Sequence, residues 1–214
     1  DWTNPWGEHR FVENLEDRED GGTPAFLQTI RAAMAIKLKE EMGTQAIAAR
    51  EHELLAKAFP RMRAIPGLHI LADGIEDRLG VISFYIENIH YNLIVKLLND
   101  RFGIQTRGGC SCAGTYGHYL LSVDREHSKR ITDQINGGYL ANKPGWVRVS
   151  LHPTMTDAEL DLVLEALEDI AANAGLWADD YVYDPSTNEY AHKQGEDGVD
   201  VSGWFEMGAV ALPA

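Results

Sequence analysis

The chain has 214 residues, of which 44% are apolar and 24% charged, so its composition is that of a globular protein long enough to bury a core. Asp and Glu number 33 against 19 Lys and Arg, and the resulting net charge of −14 repels phosphate backbones and anionic lipid. We therefore expect no nucleic-acid partner and no membrane partner. The two cysteines, Cys110 and Cys112, are one residue apart and form no disulfide framework, which favours a reducing, cytoplasmic setting.

The N-terminal part predicts a lead-in segment followed by a helix. Residues 1–24 are polar and irregular, and we interpret them as a connection from another part of a longer protein. Thr23 is the expected N-cap of the helix, with Pro24 in its first position. The helix should end near Met42, because Gly43 follows. Its predicted inward face consists of Leu27, Ile30, Ala33, Met34 and Leu38.

The rest of the chain predicts one sheet covered by helices. A second helix should run from Thr44 to about Phe59, where Pro60 ends it. The later elements are strands over 68–71, 80–86, 104–107 and 146–151, helices over 88–102 and 124–135, a glycine-rich loop over 108–117, a helix behind a capping box at Thr156, and a hairpin of 181–184 and 189–192. This order indicates a small α/β (α+β sandwich) domain over residues 25–176, with a hairpin and acidic tail over 177–214.

Two thiols lie in the glycine-rich loop just after a cation. A thiol on an exposed loop beside Arg107 would have a lowered pKa, and the thiolate is the nucleophilic form. Two alternatives stay open from the spacing alone. Cys110 and Cys112 can be small buried filling residues, or two ligands of a zinc site in which His118 is a third.

Arg148 stands in the middle of an apolar strand. Its side chain points either to solvent or into a site, where its planar guanidinium would bind a carboxylate with two hydrogen bonds. We take Arg107 and Arg148 together as candidate substrate-binding residues. His90, His118 and His152 are predicted to be loop or helix-cap residues.

Three motifs in this order resemble the class V aminotransferases, a pyridoxal-phosphate family that includes the cysteine desulfurases and selenocysteine lyases. They are Asp20–Pro24 before an alanine-rich helix, Arg107-Gly-Gly-Cys-Ser-Cys-Ala113, and Val147–Leu151 before the Thr156 capping box. The resemblance covers roughly residues 15–176. It implies the small C-terminal domain of a fold-type I enzyme, a homodimeric parent and an amino-acid substrate.

The resemblance also implies roles for single residues. Thr23 matches the threonine that reaches the cofactor phosphate of the neighbouring subunit. Cys112 matches the cysteine that accepts sulfur and becomes a persulfide. Arg148 matches the arginine that binds the substrate α-carboxylate.

The family's large domain normally precedes the glycine-threonine-proline motif and carries the Schiff-base lysine. All seven lysines of this chain follow that motif, so none matches the cofactor lysine. We therefore expect a C-terminal fragment that is inactive by itself and does not bind pyridoxal phosphate covalently. The alternatives are a class V aminotransferase, lyase or epimerase without sulfur transfer, and a non-catalytic module for dimerisation or partner binding.

Overall fold

The computed structural model describes residues 2–110 and 113–195 and divides into two compact units, the first ending at Ala49 and the second beginning at Arg50. The first unit contains strands β1 (Trp2–Thr3) and β2 (His9–Arg10), then helices α1 (Leu15–Glu19) and α2 (Phe26–Met42). Helix α3 (Thr44–Ala64) begins in this unit. None of residues 2–49 is buried.

The start and the inward face predicted for α2 are both wrong. Ala25 is the N-cap, without a side-chain hydrogen bond, and Thr23 lies outside the helix. The expected inward residues Leu27 and Met34 are 73% and 65% exposed. The physical reason is that α2 is a single layer within its unit, so its apolar residues have no second layer to pack against.

Helix α3 continues beyond the predicted end. Pro60 lies inside it, and the following turn buries Met62, which is 2% exposed. A proline removes one backbone hydrogen bond but leaves the rest of a helix intact where packing compensates. The sequence predicts Ile47, Leu54, Leu55 and Ala58 as the inward residues of this helix. Leu54, Leu55 and Ala58 are buried, whereas Ile47 is only half-buried.

Four strands form one antiparallel sheet in the order β3-β4-β6-β5. They are β3 (Leu68–Ile70), β4 (Val81–Ile86), β5 (Arg107–Gly109) and β6 (Trp146–Ser150). Three match the expected strands, but β5 begins where the predicted strand 104–107 was to end. The sequence favoured the β-prone residues Ile104 and Thr106, whereas the structure pairs the two glycines that follow. Glycine is favoured there because a Cβ on Gly108 would lie 2.6 Å from Asn92 Oδ1 and would displace that side chain of α4.

Helices cover one face of this sheet and enclose the core. Helix α4 (Tyr91–Phe102) packs on helix α7 (Asp157–Trp177) and on β5 and β6. In β4 every second residue is buried, which directs Ile82, Phe84 and Ile86 toward these helices. Both bonds of the Thr156 capping box are present at the start of α7. The fold is therefore the predicted mixed sandwich of one sheet and covering helices.

Two short helices and a hairpin complete the described part of the chain. Helices α5 (Gly114–Leu120) and α6 (Arg125–Asn136) lie between β5 and β6 in sequence. A single 3₁₀ turn (Ala178–Asp180) leads into strands β7 (Tyr181–Asp184) and β8 (Glu189–His192), the predicted hairpin. No helix within the described residues is long and apolar enough to cross a membrane.

Candidate functional site

Three polar side chains form a row across the sheet. Arg148 of β6 is paired with Ser83 of β4 on one side and with Arg107 of β5 on the other. Directly paired residues of an antiparallel sheet project from the same face. Since Val147 and Val149 are buried against the helices, the row, which we call the arginine row, projects from the opposite face.

Arg148 is half-buried, and its guanidinium makes no hydrogen bond or ion pair with any residue that the structure describes. Several other arginines of the second unit do have such partners: Arg61, for example, contacts carboxylates of α7 at 2.9 Å. Arg125 and Arg130 also have none within the described residues, but unlike Arg148 they are exposed. A partly desolvated guanidinium is suited to binding a carboxylate through two charge-assisted hydrogen bonds. Arg107 of the same row is exposed.

The loop that follows β5 is shorter than the sequence predicts. Strand β5 ends at Gly109 and α5 begins at Gly114, so the predicted loop over 108–117 is wrong at both ends. Its first residue, Cys110, is half-buried. Cys112 lies outside the described residues, and its role stays a prediction.

Cys110 lines a cavity of about 150 Å³. The other lining residues come mainly from the two helices between β5 and β6 and include Leu121, Ile131, Ile135 and Trp146. The small apolar volume and the partial burial of Cys110 fit the interpretation of this thiol as a packing residue.

His118 lies inside α5, so its prediction as a loop or cap residue is wrong. Its Nδ1 is 2.6 Å from the carbonyl oxygen of Gly114, and its Nε2 is 2.8 Å from Ser128 Oγ. With both ring nitrogens engaged, His118 is poorly placed to serve as the third ligand of a zinc site. His90 does cap α4, as expected, by accepting a hydrogen bond from the Asn92 N–H at 3.1 Å.

Thr23, the predicted contact to the cofactor phosphate, is exposed and lies in the first unit. The other two described candidates, Arg107 and Arg148, lie in the second unit. The arginine row is thus the part of the predicted site whose residues are brought together within one unit.

The lysines decide whether this chain can hold pyridoxal phosphate, which binds to enzymes as a Schiff base with a lysine. All seven lysines are among the described residues, and none stands on a strand of the four-stranded sheet. Lys57 and Lys129 are ion-paired with aspartates, whereas Lys143 lines the small cavity beside Cys110. None of these positions matches the family's cofactor lysine, and no step of a cofactor reaction is derived from this chain alone.

Sequence reasoning missed Tyr91 and Asn188. Asn188 is 8% exposed, and its side-chain amide donates to the hydroxyl oxygen of Tyr91 at 2.7 Å. An asparagine at the end of a turn is a common residue for a left-handed backbone, and Asn188 has a φ of 64°. That signal predicts a turn, but it does not predict a long-range contact.

Solved cysteine desulfurase structures share this fold. The apo cysteine desulfurase of Thermococcus onnurineus NA1 has a TM-score of 0.57 and 21% sequence identity, over 81% of this chain and 37% of that chain. A NifS-like protein has a TM-score of 0.51 and 20% identity, over 76% of this chain and 38% of that chain. At this identity the likeness establishes the fold alone: this is an α/β domain of the kind found in cysteine desulfurases.

Sequence similarity establishes the family. Probable cysteine desulfurases of Staphylococcus aureus (strain Mu50) and Staphylococcus epidermidis (strain RP62A) are 34% and 35% identical over 100 residues. Those residues are 47% of this chain and 24% of each relative, so the chain spans about a quarter of the length of the curated relatives it matches. The model of the class V aminotransferase family matches residues 6–163, and the chain belongs to that family.

Proposed function

We propose that this chain is the carboxylate-binding and sulfur-accepting part of a pyridoxal-phosphate enzyme that acts on cysteine or selenocysteine. The observation that carries the proposal is Arg148, which is half-buried and has no polar partner among the described residues. It stands beside β5, and β5 leads directly into the cysteine-bearing loop. The relatives named as probable cysteine desulfurases support the same assignment.

In this proposal Arg148 binds the α-carboxylate of the substrate. Arg107 projects from the same face and adds a second positive charge, which raises the local concentration of an anionic substrate. The carboxylate would in turn reduce the repulsion between the two guanidinium groups.

The second proposed role belongs to Cys112, whose thiolate attacks the substrate sulfur: an S–S bond forms, the C–S bond of the substrate breaks, and the carbon fragment leaves as alanine. Arg107, five residues earlier, favours the ionised thiol. Cys110, which lines a cavity, has a packing role. The cofactor, where it is bound, supplies the electron sink of the reaction.

The remaining components lie in a longer parent protein. We place its Schiff-base lysine in a large domain ahead of residues 1–24, followed by the small domain over 25–176 and the hairpin and tail over 177–214. Thr23 then reaches the cofactor phosphate of the second subunit in a homodimer. The 214-residue chain by itself is inactive, and a reactive thiol of this kind suits the reducing cytoplasm.

The test is the visible absorbance of the full-length protein before and after adding cysteine, with sulfide release measured in parallel. Alanine, which has the same carboxylate and amine but no sulfur, is the matched control. Sulfide release with cysteine and a spectral change supports the proposal. A spectral change without sulfide points to an aminotransferase, lyase or epimerase of the same family. A protein without any cofactor absorbance would contradict the proposal and favour a non-catalytic module.

A further inference from the structure

The hairpin of β7 and β8 contacts strand β5, which precedes Cys110, through two buried side chains, Asn188 and Tyr91. Tyr91 is the first residue of α4 and is 7% exposed. Its hydroxyl oxygen accepts a hydrogen bond from the Asn188 side-chain amide at 2.7 Å. Asn188 is the one buried polar or charged residue within the described ranges.

Asn188 is itself held by the hairpin. Its side-chain oxygen accepts a hydrogen bond from the Tyr183 hydroxyl at 2.8 Å, and its backbone N–H donates to the Asp184 carbonyl at 2.8 Å. A buried amide that is satisfied at both ends fixes the position of its partners, because breaking either hydrogen bond would leave a polar atom without water. The hairpin therefore orients the amide toward Tyr91.

The ring of Tyr91 contacts the backbone that leads to the cysteine loop. A Cβ built on Gly145 would lie 2.5 Å from Tyr91 Cε1 and 2.9 Å from Gly109 Cα. A Cβ built on Gly108 would lie 3.1 Å from Tyr91 Cδ2. Only glycine permits so close an approach, so the ring lies against β5 and against the segment that enters β6.

Cys110 follows directly after this contact and lies close to Tyr91. Burial raises the pKa of the Tyr91 hydroxyl, and the hydrogen bond from Asn188 lowers it. The loop that begins at Cys110 thus leaves the sheet from a position defined by the Tyr91 ring.

We propose that Tyr91, held by Asn188, is a positioning residue for Cys110, the residue that directly follows β5, and that the hairpin of β7 and β8 is therefore part of the functional domain. The activity test of this inference rests on the proposed function, because the activity that it measures is sulfur transfer. The Tyr91 ring lies on the face opposite Arg148 and next to the backbone that leads into Cys110, so the contact should affect the Cys110 segment more than carboxylate binding.

Two substitutions break the connection without straining the backbone. Asn188→Gly removes the amide and keeps a residue suited to its positive φ of 64°. Tyr91→Phe keeps the ring and removes the hydroxyl. Tyr190→Phe is the matched control, because it removes a hydroxyl from the same hairpin that makes no hydrogen bond within the described residues.

In the full-length protein, Asn188→Gly and Tyr91→Phe should each lower kcat for cysteine about tenfold and leave KM within about twofold, while Tyr190→Phe changes neither. The double variant should lose no more than either single variant, because both remove the same hydrogen bond. A purely structural role would lower the amount of folded protein without this division between kcat and KM. An unchanged kcat in both single variants, measured per folded protein, would overturn the inference.

A second measurement does not depend on enzyme activity, so it can test the positioning role of Tyr91 even if the proposed function is wrong. Iodoacetamide labelling of the 214-residue chain, followed by peptide mass spectrometry, reports each thiol. The labelling rate of Cys110 should rise at least fivefold in Asn188→Gly and in Tyr91→Leu, which also removes the ring, and stay within twofold in Tyr190→Phe. If the wild-type enzyme releases no sulfide, the proposed function fails and this rate decides the positioning role: unchanged labelling in both variants would refute it.

Discussion

Arg107 and Arg148 are paired directly across two antiparallel strands, so their guanidinium-bearing side chains project from the same face of the sheet. Like charges in direct cross-strand register destabilise a sheet by a few tenths of a kcal/mol to about 1 kcal/mol. A bound carboxylate between or beside them would offset that cost. The pairing is therefore better suited to an anion-binding surface than to a purely structural one.

Replacing Arg148 should weaken the use of amino-acid substrates by the full-length protein. Removing one partner of a charged, hydrogen-bonded pair in a partly dry site costs about 2–5 kcal/mol, which corresponds to roughly 30- to several-thousand-fold in kcat/KM for Arg148→Ala. Arg148→Lys should recover little, because an ammonium group cannot present two parallel donors. Steady-state kinetics with cysteine tests both variants.

The control for this prediction is Arg31→Ala. Arg31 is exposed on α2 and makes no polar contact within the described part of the chain. The same removal of charge there should leave kcat/KM unchanged. An Arg148→Ala variant with wild-type kcat/KM would remove Arg148 from the site.

The two cysteines should respond differently to serine substitution. Cys112→Ser is expected to abolish sulfide release while cofactor absorbance remains, because the accepting thiolate is gone. Cys110→Ser should act through packing alone, with a loss of about 1 kcal/mol in the free energy of unfolding. Sulfide assays and urea unfolding measure the two effects, and robust sulfide release by Cys112→Ser would exclude that residue as the acceptor.

Asp157 should contribute to stability in a pH-dependent way. Its carboxylate accepts hydrogen bonds from Lys57 and from Arg50, and these, in that order, hold its pKa below the ordinary value of 3.8. A depressed pKa in the folded state gives stability that is present above the unfolded pKa and is lost as the pH falls through the folded pKa. Asp157→Asn should therefore lower the free energy of unfolding at pH 7 and have little effect at pH 2.

Urea unfolding at both pH values, at low salt, checks this prediction. Because Asp157 is exposed, added salt should reduce the difference. Asp169→Asn on the same helix is the control, since that side chain makes no hydrogen bond or ion pair within the described residues. An equal loss of stability at pH 7 and pH 2 would contradict the assignment of the effect to charge.

The 214-residue chain should form no stoichiometric Schiff base with pyridoxal phosphate. Borohydride reduction and peptide mapping are expected to show weak labelling spread over exposed lysines. Complete labelling of a single lysine, such as Lys143 beside the Cys110 cavity, would mean that this chain holds the cofactor by itself.

Much of the fold follows from local sequence signals. The capping box at Thr156, the end of α4 at Phe102 and the hairpin at 181–192 all depend on neighbouring residues, and each agrees with the structure. Local sequence signals gave wrong element boundaries where tertiary packing determines the structure. Pro60 ends a helix in isolation, but here the turn beyond it is buried. In β5, Gly108 lies against α4, whereas Gly109 has a positive φ of 103° that favours glycine.

For the candidate site, too, the sequence predicts some features and the tertiary structure determines the others. Residue chemistry and motif order alone marked Arg107 and Arg148 and associated Arg148 with a carboxylate. Their membership of one row depends on strand register, a long-range property that no local pattern specifies. Likewise, the sequence places Asn188 in a turn 97 residues from Tyr91. Only the packing of the hairpin against α4 makes them hydrogen-bond partners, because the cost of burying an amide is offset where a second polar group meets it.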